Sequence, residues 1–314
     1  MKMSPRERIE AIFKGATPDV MPWFADLTYW WNSHKIIGDI PESWREGIGT
    51  IHRRFNVGEY VPGTNAFGQT FDEKIEEIRE EKDDRQTIIR WDTPLGSLQA
   101  RREYNSLSYS WSRVEYPVKT ANDLKILRYL TEHSIYTPAY DRVLKLDRDL
   151  GEYGLPVVAL PGTPVAQLIL NWAGVMTTSY LFNDAPREME LTLEAIVESQ
   201  KRVYEITAEA PCDYVIFCDN LTSNVYGRLF KTYMADYYKK QIAYLHEHGK
   251  KVITHVDGTL RGVLEQLEGT GIECAEALTP LPVGDVSLKE LRGLAGEKIV
   301  LWGGIPGAMF APSF

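Results

Sequence analysis

KKVITHVDG (Lys250–Gly258) is followed by TLRGVLEQLEG (Thr259–Gly269), IECAEALTPLP (Ile272–Pro282), VSLKELRGLAG (Val286–Gly296) and KIVLWGGIPG (Lys298–Gly307). Lys251–Thr254 is a strand-forming run that ends in the polar cluster His255-Val256-Asp257-Gly258, after which Leu260, Val263, Leu264 and Leu267 recur on one helical stripe. Strand, polar tip and helix make one βα unit. The rhythm repeats: Glu273–Ala277 reads as a short strand ending in Glu276 and Thr279, and Lys298–Trp302 as another ending in Gly303-Gly304. Parallel strands joined by helices carry their chemistry at the carboxyl ends of the strands, because only the loops there converge on one cavity. His255, Asp257, Glu276, Trp302, Gly303 and Gly304 are therefore candidates for a single site.

Outward from this stretch, the same pattern reaches back through the chain. Tyr214–Phe217 is a strand ending in Cys218-Asp219-Asn220, so Asp219 and Asn220 join the candidates, and Leu229–His248 reads as the helix that follows. Val157–Leu160 is a buried parallel strand, and Val165–Phe182 is apolar and helical. Val20–Leu27 is a first strand with Asp26 at its end, and Val57–Val61 a second, preceded by a helix over Trp44–Phe55. Ser4, Pro5 and Glu7 mark the start of an opening helix as cap, first residue and capping-box partner, and Gly15 ends it. Tyr29, Trp30, Trp31 and His34 sit in a segment with neither strand nor helix pattern, and read either as a packed lid or as an apolar wall beside the site.

Residues 86–118 differ. They alternate with period two around a Pro94-Leu95-Gly96 turn and read as an antiparallel ribbon inserted beside the barrel mouth. No linker or low-complexity run breaks the chain, so one barrel-like α/β domain over residues 1–314 is the expected organisation. Seven strands open near residues 20, 57, 157, 214, 251, 273 and 298; the eighth of a closed barrel is expected beyond residue 314.

Composition limits the chemistry. At 314 residues, 44% hydrophobic and 25% charged, the chain has ample material for a large core. A net charge of −9 argues against nucleic acid and anionic membrane surfaces as partners. Cys212, Cys218 and Cys274 form no Cys-x-x-Cys pair, so a reducing cytoplasm is the expected location, with Cys218 and Cys274 read as small buried residues. The start MKMSPRERIEAIFKG alternates in charge, unlike a signal peptide, and no window approaches the roughly eighteen apolar residues of a membrane span.

RERIEAIFKG (6–15), TPDVMPW (17–23), VKTANDLKILR (118–128), HVDG (255–258), ALTPLPVGDVSLKELR (277–292) and WGGIPG (302–307) resemble the uroporphyrinogen decarboxylase superfamily. The resemblance runs over nearly the whole chain and implies a distorted TIM-type (β/α)8 barrel. It also implies one of two chemistries: tetrapyrrole decarboxylation, or methyl transfer between a corrinoid and a small acceptor. The decarboxylase branch handles a substrate rich in carboxylates with an arginine loop after the first strand, since the guanidinium fork binds carboxylate in bidentate fashion. Here that place reads FADLTYWWNSHK, with no arginine or lysine between Met21 and His34.

In the methyltransferase branch, thiol acceptors are activated by zinc on a His-x-Cys pair and a later cysteine. This chain has His255-x-Asp257, and the later position falls past Phe314. Zinc on His255, Asp257 and Glu276 is one expectation, with Asp219 able to complete the set. A pterin nitrogen such as that of tetrahydrofolate is an acceptor that needs no thiolate, and carboxylic acids would manage its protons. The reading is then a corrinoid-dependent methyltransferase with His255, Asp257, Glu276 and Asp219 catalytic. Substrate binding falls to Asp26, Tyr29, Trp30, Asn220, Trp302, Gly303 and Gly304. A small acceptor, a separate corrinoid protein supplying methylcobalamin-type donor, and a second copy of the chain are the expected partners. The alternatives are a decarboxylase-like lyase and a non-catalytic tetrapyrrole- or corrinoid-binding protein. Asp257 also has a plainer reading as a helix N-cap before Gly258-Thr259.

Overall fold

The structure, a computed structural model, describes residues 2–42, 47–60, 63–107 and 109–311. The chain divides into two compact units. The first comprises Met1–Ala66, Ala139–Leu160 and Ala208–Phe314. Its centre is a six-stranded parallel sheet in the order Val300–Gly303, Cys274–Leu278, Lys251–Val256, Tyr214–Leu221, Val157–Leu160, Gly63–Thr64. Phe24–Ala25 and Gly58–Glu59 form a further parallel pair. This is an α/β fold of TIM type, with strands where the βα rhythm places them.

Parallel strands covered on both faces need apolar residues at successive positions rather than alternating ones. Tyr214–Phe217 and Val252–Thr254 obey this rule, each run being buried throughout. The first and last strands meet through side chains: the Phe24 ring stands edge-on to Trp302 at 5.2 Å. No backbone ladder joins these two strands among the described residues. The expected eighth strand, and Trp44 and Val61 at the ends of two expected elements, lie outside the described residues.

Some elements differ from the sequence reading. Thr28–Ile37 is a helix, closed by Gly38 in the left-handed region at φ 83°, although its two indoles obscure the helical pattern. The helix expected over 259–269 shrinks to the turn Leu264–Leu267, because Gly262 at φ 88° breaks the backbone ahead of it. Its stripe is still the buried face: Leu260, Val263, Leu264 and Leu267 are all fully buried. Asp257 caps nothing there; the Leu260 amide donates to Asp285 Oδ1 at 2.7 Å instead. The opening helix Pro5–Phe13 has the full Ser4/Glu7 capping box.

The second unit comprises Phe67–Pro138 and Pro161–Thr207. It holds a four-stranded antiparallel meander of Glu76–Asp83, Gln86–Thr93, Gly96–Asn105 and Ser110–Glu115. The ribbon thus starts ten residues earlier than residue 86. Its edge strand EEIREEKD is exposed nearly throughout, and a charged edge gives no apolar alternation to read. Trp91, Leu98, Leu124, Leu127, Leu168 and Ile196 are among the buried residues of this unit's core.

Candidate active site

Side chains alternate across a strand, so the tip of each strand sends neighbours to opposite faces. Along Tyr214–Leu221, Ile216, Cys218 and Asn220 share one face and line a cavity of about 550 Å³ with His255 and Glu276. Asp219, one residue out of step, is fully buried on the other face, where the Tyr238 hydroxyl donates to its Oδ2 at 2.8 Å. That geometry places Asp219 away from the cavity wall that the sequence reading expected it to share. A second cavity of about 340 Å³ is lined by Tyr29, Asp257, Trp302, Gly303 and Gly304 among others. Ala25, Asp26, Tyr60 and His255 line both. The two cavities therefore meet at one wall that carries a carboxylate, a phenol and an imidazole.

The sheet register explains the central pair. His255 and Glu276 face each other across parallel neighbours, and His255 Nδ1 lies 2.6 Å from Glu276 Oε2. The Glu276 side chain is only 2% exposed and His255 29%, so the imidazole reaches the cavities with the carboxylate behind it. Both neighbouring strands are bulged here. The ladder shifts between Phe217 and Leu221 and between Ala275 and Leu278, with Asn220 at φ 48° and Ala277 at φ 64°. Non-glycine residues in this region are strained, and bulges beside sites re-aim side chains. Here the turned Ala277 amide donates to the Tyr60 hydroxyl at 2.9 Å.

Burial sets the protonation of most groups on the larger cavity. It pushes the Cys218 thiol up to about 12, with the charges of Asp219 and Glu276 adding to the effect. It raises Glu59 against the opposing pull of Arg53, raises Tyr60 with help from the charge and hydrogen bond of Glu276, and lowers His52. His255 departs from this pattern. Burial opposes its charged form, but the hydrogen bond and charge of Glu276, with Asp257 behind them, win and raise its pKa. The site thus holds one cation-prone ring beside a thiol and a phenol that burial keeps in their neutral forms. In consequence, alkylation of Cys218 by iodoacetamide, followed by peptide mass spectrometry, is expected to keep accelerating past pH 10. A plateau near pH 8 would contradict this description of the wall.

Tyr60, His52, Glu59 and Cys218 were not apparent as site residues in the sequence. Tyr60 follows a strand of two residues, too short for periodicity. Cys218 is exposed to the cavity, where the surrounding atoms still desolvate its thiol, whereas Cys274 is buried as expected. Trp30, expected at the substrate, lines neither cavity; its ring packs on His34 at 4.3 Å. Among the described residues no three His, Cys, Asp or Glu side chains are grouped to hold a metal. The donor geometry accounts for this, since Glu276 occupies His255 Nδ1 and lines the larger cavity while Asp257 lines the smaller.

No curated protein sequence matches the chain. Among solved structures, a methyltransferase from Methanosarcina mazei is similar with a TM-score of 0.57 at 13% identity, covering 96% of this chain and 83% of that one. At that identity the likeness speaks to the fold. Residues 106–312, more than half of the chain, match the family model described as Uroporphyrinogen decarboxylase (URO-D). With the parallel sheet and the strand-tip site in place, the chain belongs to the uroporphyrinogen decarboxylase family.

Proposed function

We propose that this protein is a methyltransferase that moves a methyl group between a corrinoid, carried by a separate protein, and a small molecule. The observation that carries this reading over decarboxylation is the charge of the cavity walls. Asp26, Glu59, Asp257 and Glu276 line them, and the described lining residues include no lysine or arginine. A polycarboxylate tetrapyrrole needs guanidinium partners, and desolvating it against these carboxylates is unfavourable. The fold likeness to the Methanosarcina mazei methyltransferase agrees with the proposal. Two cavities that share a wall also suit a reaction with two reactants, since transfer requires them to meet in line.

In this reading Glu276 fixes the imidazole tautomer with the proton on Nδ1 and leaves Nε2 for the reactants. His255, raised in pKa, gives up or takes the proton that accompanies a change of charge on the small molecule. The test is direct: incubate the protein with methylcobalamin and either tetrahydrofolate or a small thiol, and follow the corrinoid absorbance. Loss of the methyl-corrinoid spectrum with an acceptor present is the expected result. An unchanged spectrum, together with carbon dioxide release from a carboxylated porphyrinogen, would replace this reading with the lyase.

A further inference from the structure

We propose that the smaller cavity binds a compact N-methylated ammonium cation, the small-molecule reactant of the methyl transfer. The role rests on the methyl-transfer reading; the recognition does not. Trp23, Phe24, Tyr29, Tyr60, Trp302 and Phe310 give the cavity an aromatic wall. Trp302 is held in place by two rings that meet it edge-on, Phe24 at 5.2 Å and Tyr60 at 5.5 Å. Aromatic faces carry negative potential and attract cations, most strongly for tryptophan.

Two carboxylates share this wall. Asp26 and Asp257 both line the cavity, and among the described residues neither has an ion-pair partner. Their charges act together on the Tyr29 phenol: burial raises its pKa first, and both carboxylates raise it further. The backbone holds these groups closely. A Cβ on Gly307 would lie 3.2 Å from the Tyr29 ring and 3.3 Å from Asp26 Oδ2, and Asp26 Oδ1 accepts the Thr28 amide at 2.9 Å. Rings and carboxylates are thus set before any ligand arrives, which removes an ordering cost from binding.

Only one ligand chemistry matches this wall. An anion would meet Asp26 and Asp257 while the imidazole of His255 is already matched by Glu276, and a neutral apolar molecule would leave two carboxylates desolvated without a partner. A primary ammonium would satisfy the carboxylates but forgo the apolar contact. A methylated ammonium offers positive charge spread over methyl surface, and at about 340 Å³ the cavity takes a small one. In the transfer, the C–N bond breaks with its electron pair remaining on nitrogen. The methyl carbon bonds to the electron pair of the reduced cobalt brought by the corrinoid protein. The amine left behind is neutral as the bond breaks, and its lone pair then takes up the proton that His255 or solvent supplies.

Binding is measured on the full-length chain without corrinoid. Choline and its neutral carbon isostere 3,3-dimethylbutan-1-ol are titrated by calorimetry and by tryptophan fluorescence. Choline is expected to bind at least about tenfold more tightly than the isostere, a difference of one decade in Kd. Asp257→Asn, on an exposed residue, and Trp23→Ala, on a half-exposed one, are each expected to weaken choline about tenfold and the isostere far less. Equal binding of the two ligands, no binding of either, or choline affinity untouched by both substitutions overturns the proposal. Cation binding without methyl transfer supports the recognition and refutes the methyl-transfer reading. Transfer to or from neutral compounds, with no cation bound, does the reverse.

Discussion

Replacing Glu276 by glutamine is expected to reduce methyl-transfer turnover by about a hundredfold and to move the titration of His255 to lower pH. The substitution keeps the shape of the side chain and removes its charge. Burial alone would lower the pKa of His255, and the hydrogen bond and charge of Glu276 reverse that sign. Without the carboxylate, burial dominates and the imidazolium is lost at lower pH. The same linkage governs stability. A raised histidine contributes stability that is present in full below its ordinary value near 6.5 and disappears as pH rises through the folded-state value. That pH-dependent contribution is expected to vanish in Glu276→Gln. The His255 Cε1 proton resonance, followed against pH in both proteins, reads the shift directly. An unchanged His255 titration in the variant would remove the pair from the mechanism. His255→Ala complements it: a protein that merely binds corrinoid or tetrapyrrole keeps its ligand affinity, while a catalyst loses turnover.

How much of this was legible from sequence depends on what kind of signal each residue leaves. The βα rhythm was visible because valine and isoleucine runs end abruptly in polar residues, as at Thr254-His255 and Ala275-Glu276. The His255–Glu276 meeting followed from adjacent strands of similar length, and the register does place the two residues side by side. Tyr60 left no signal, since it follows a strand stub whose position is fixed by its neighbours rather than by its own pattern. Cys218 left only an ambiguous one: the same residue type fills cores and lines cavities, and composition does not separate them. The helix Thr28–Ile37 was hidden because its aromatic residues point both toward the cavity, at Tyr29, and against His34, at Trp30.

Asp219, expected at the cavity and placed on the other face of its strand, yields the second large effect. Period-two alternation along Ile216, Cys218 and Asn220 already puts Asp219 on the opposite face, a step the strand-tip argument alone omits. On that face Tyr238 is fully buried, its ring stacked on Phe217 at 4.5 Å and packed against Phe230 at 5.4 Å. Its hydroxyl donates to Asp219 at 2.8 Å and so accepts from Thr254 Oγ1 at 2.9 Å. Burial and the Asp219 charge raise the phenol well above its ordinary pKa, so the donor is retained at any working pH. Tyr238→Ala leaves a cavity and takes one hydrogen-bond partner from each of Asp219 and Thr254, and is expected to cost about 4 kcal/mol of stability. Tyr238→Phe keeps the packing and loses only the hydroxyl, for about 1–2 kcal/mol. Asp219→Asn still offers an oxygen to the hydroxyl, and turnover is expected to stay near the parent value once the protein is folded. Urea denaturation supplies the stabilities and the corrinoid assay the turnover. An Asp219→Asn protein of parent stability but without activity would return this carboxylate to the chemistry, and would mean that the helix-facing side of the sheet, not the cavity face, holds a reacting group.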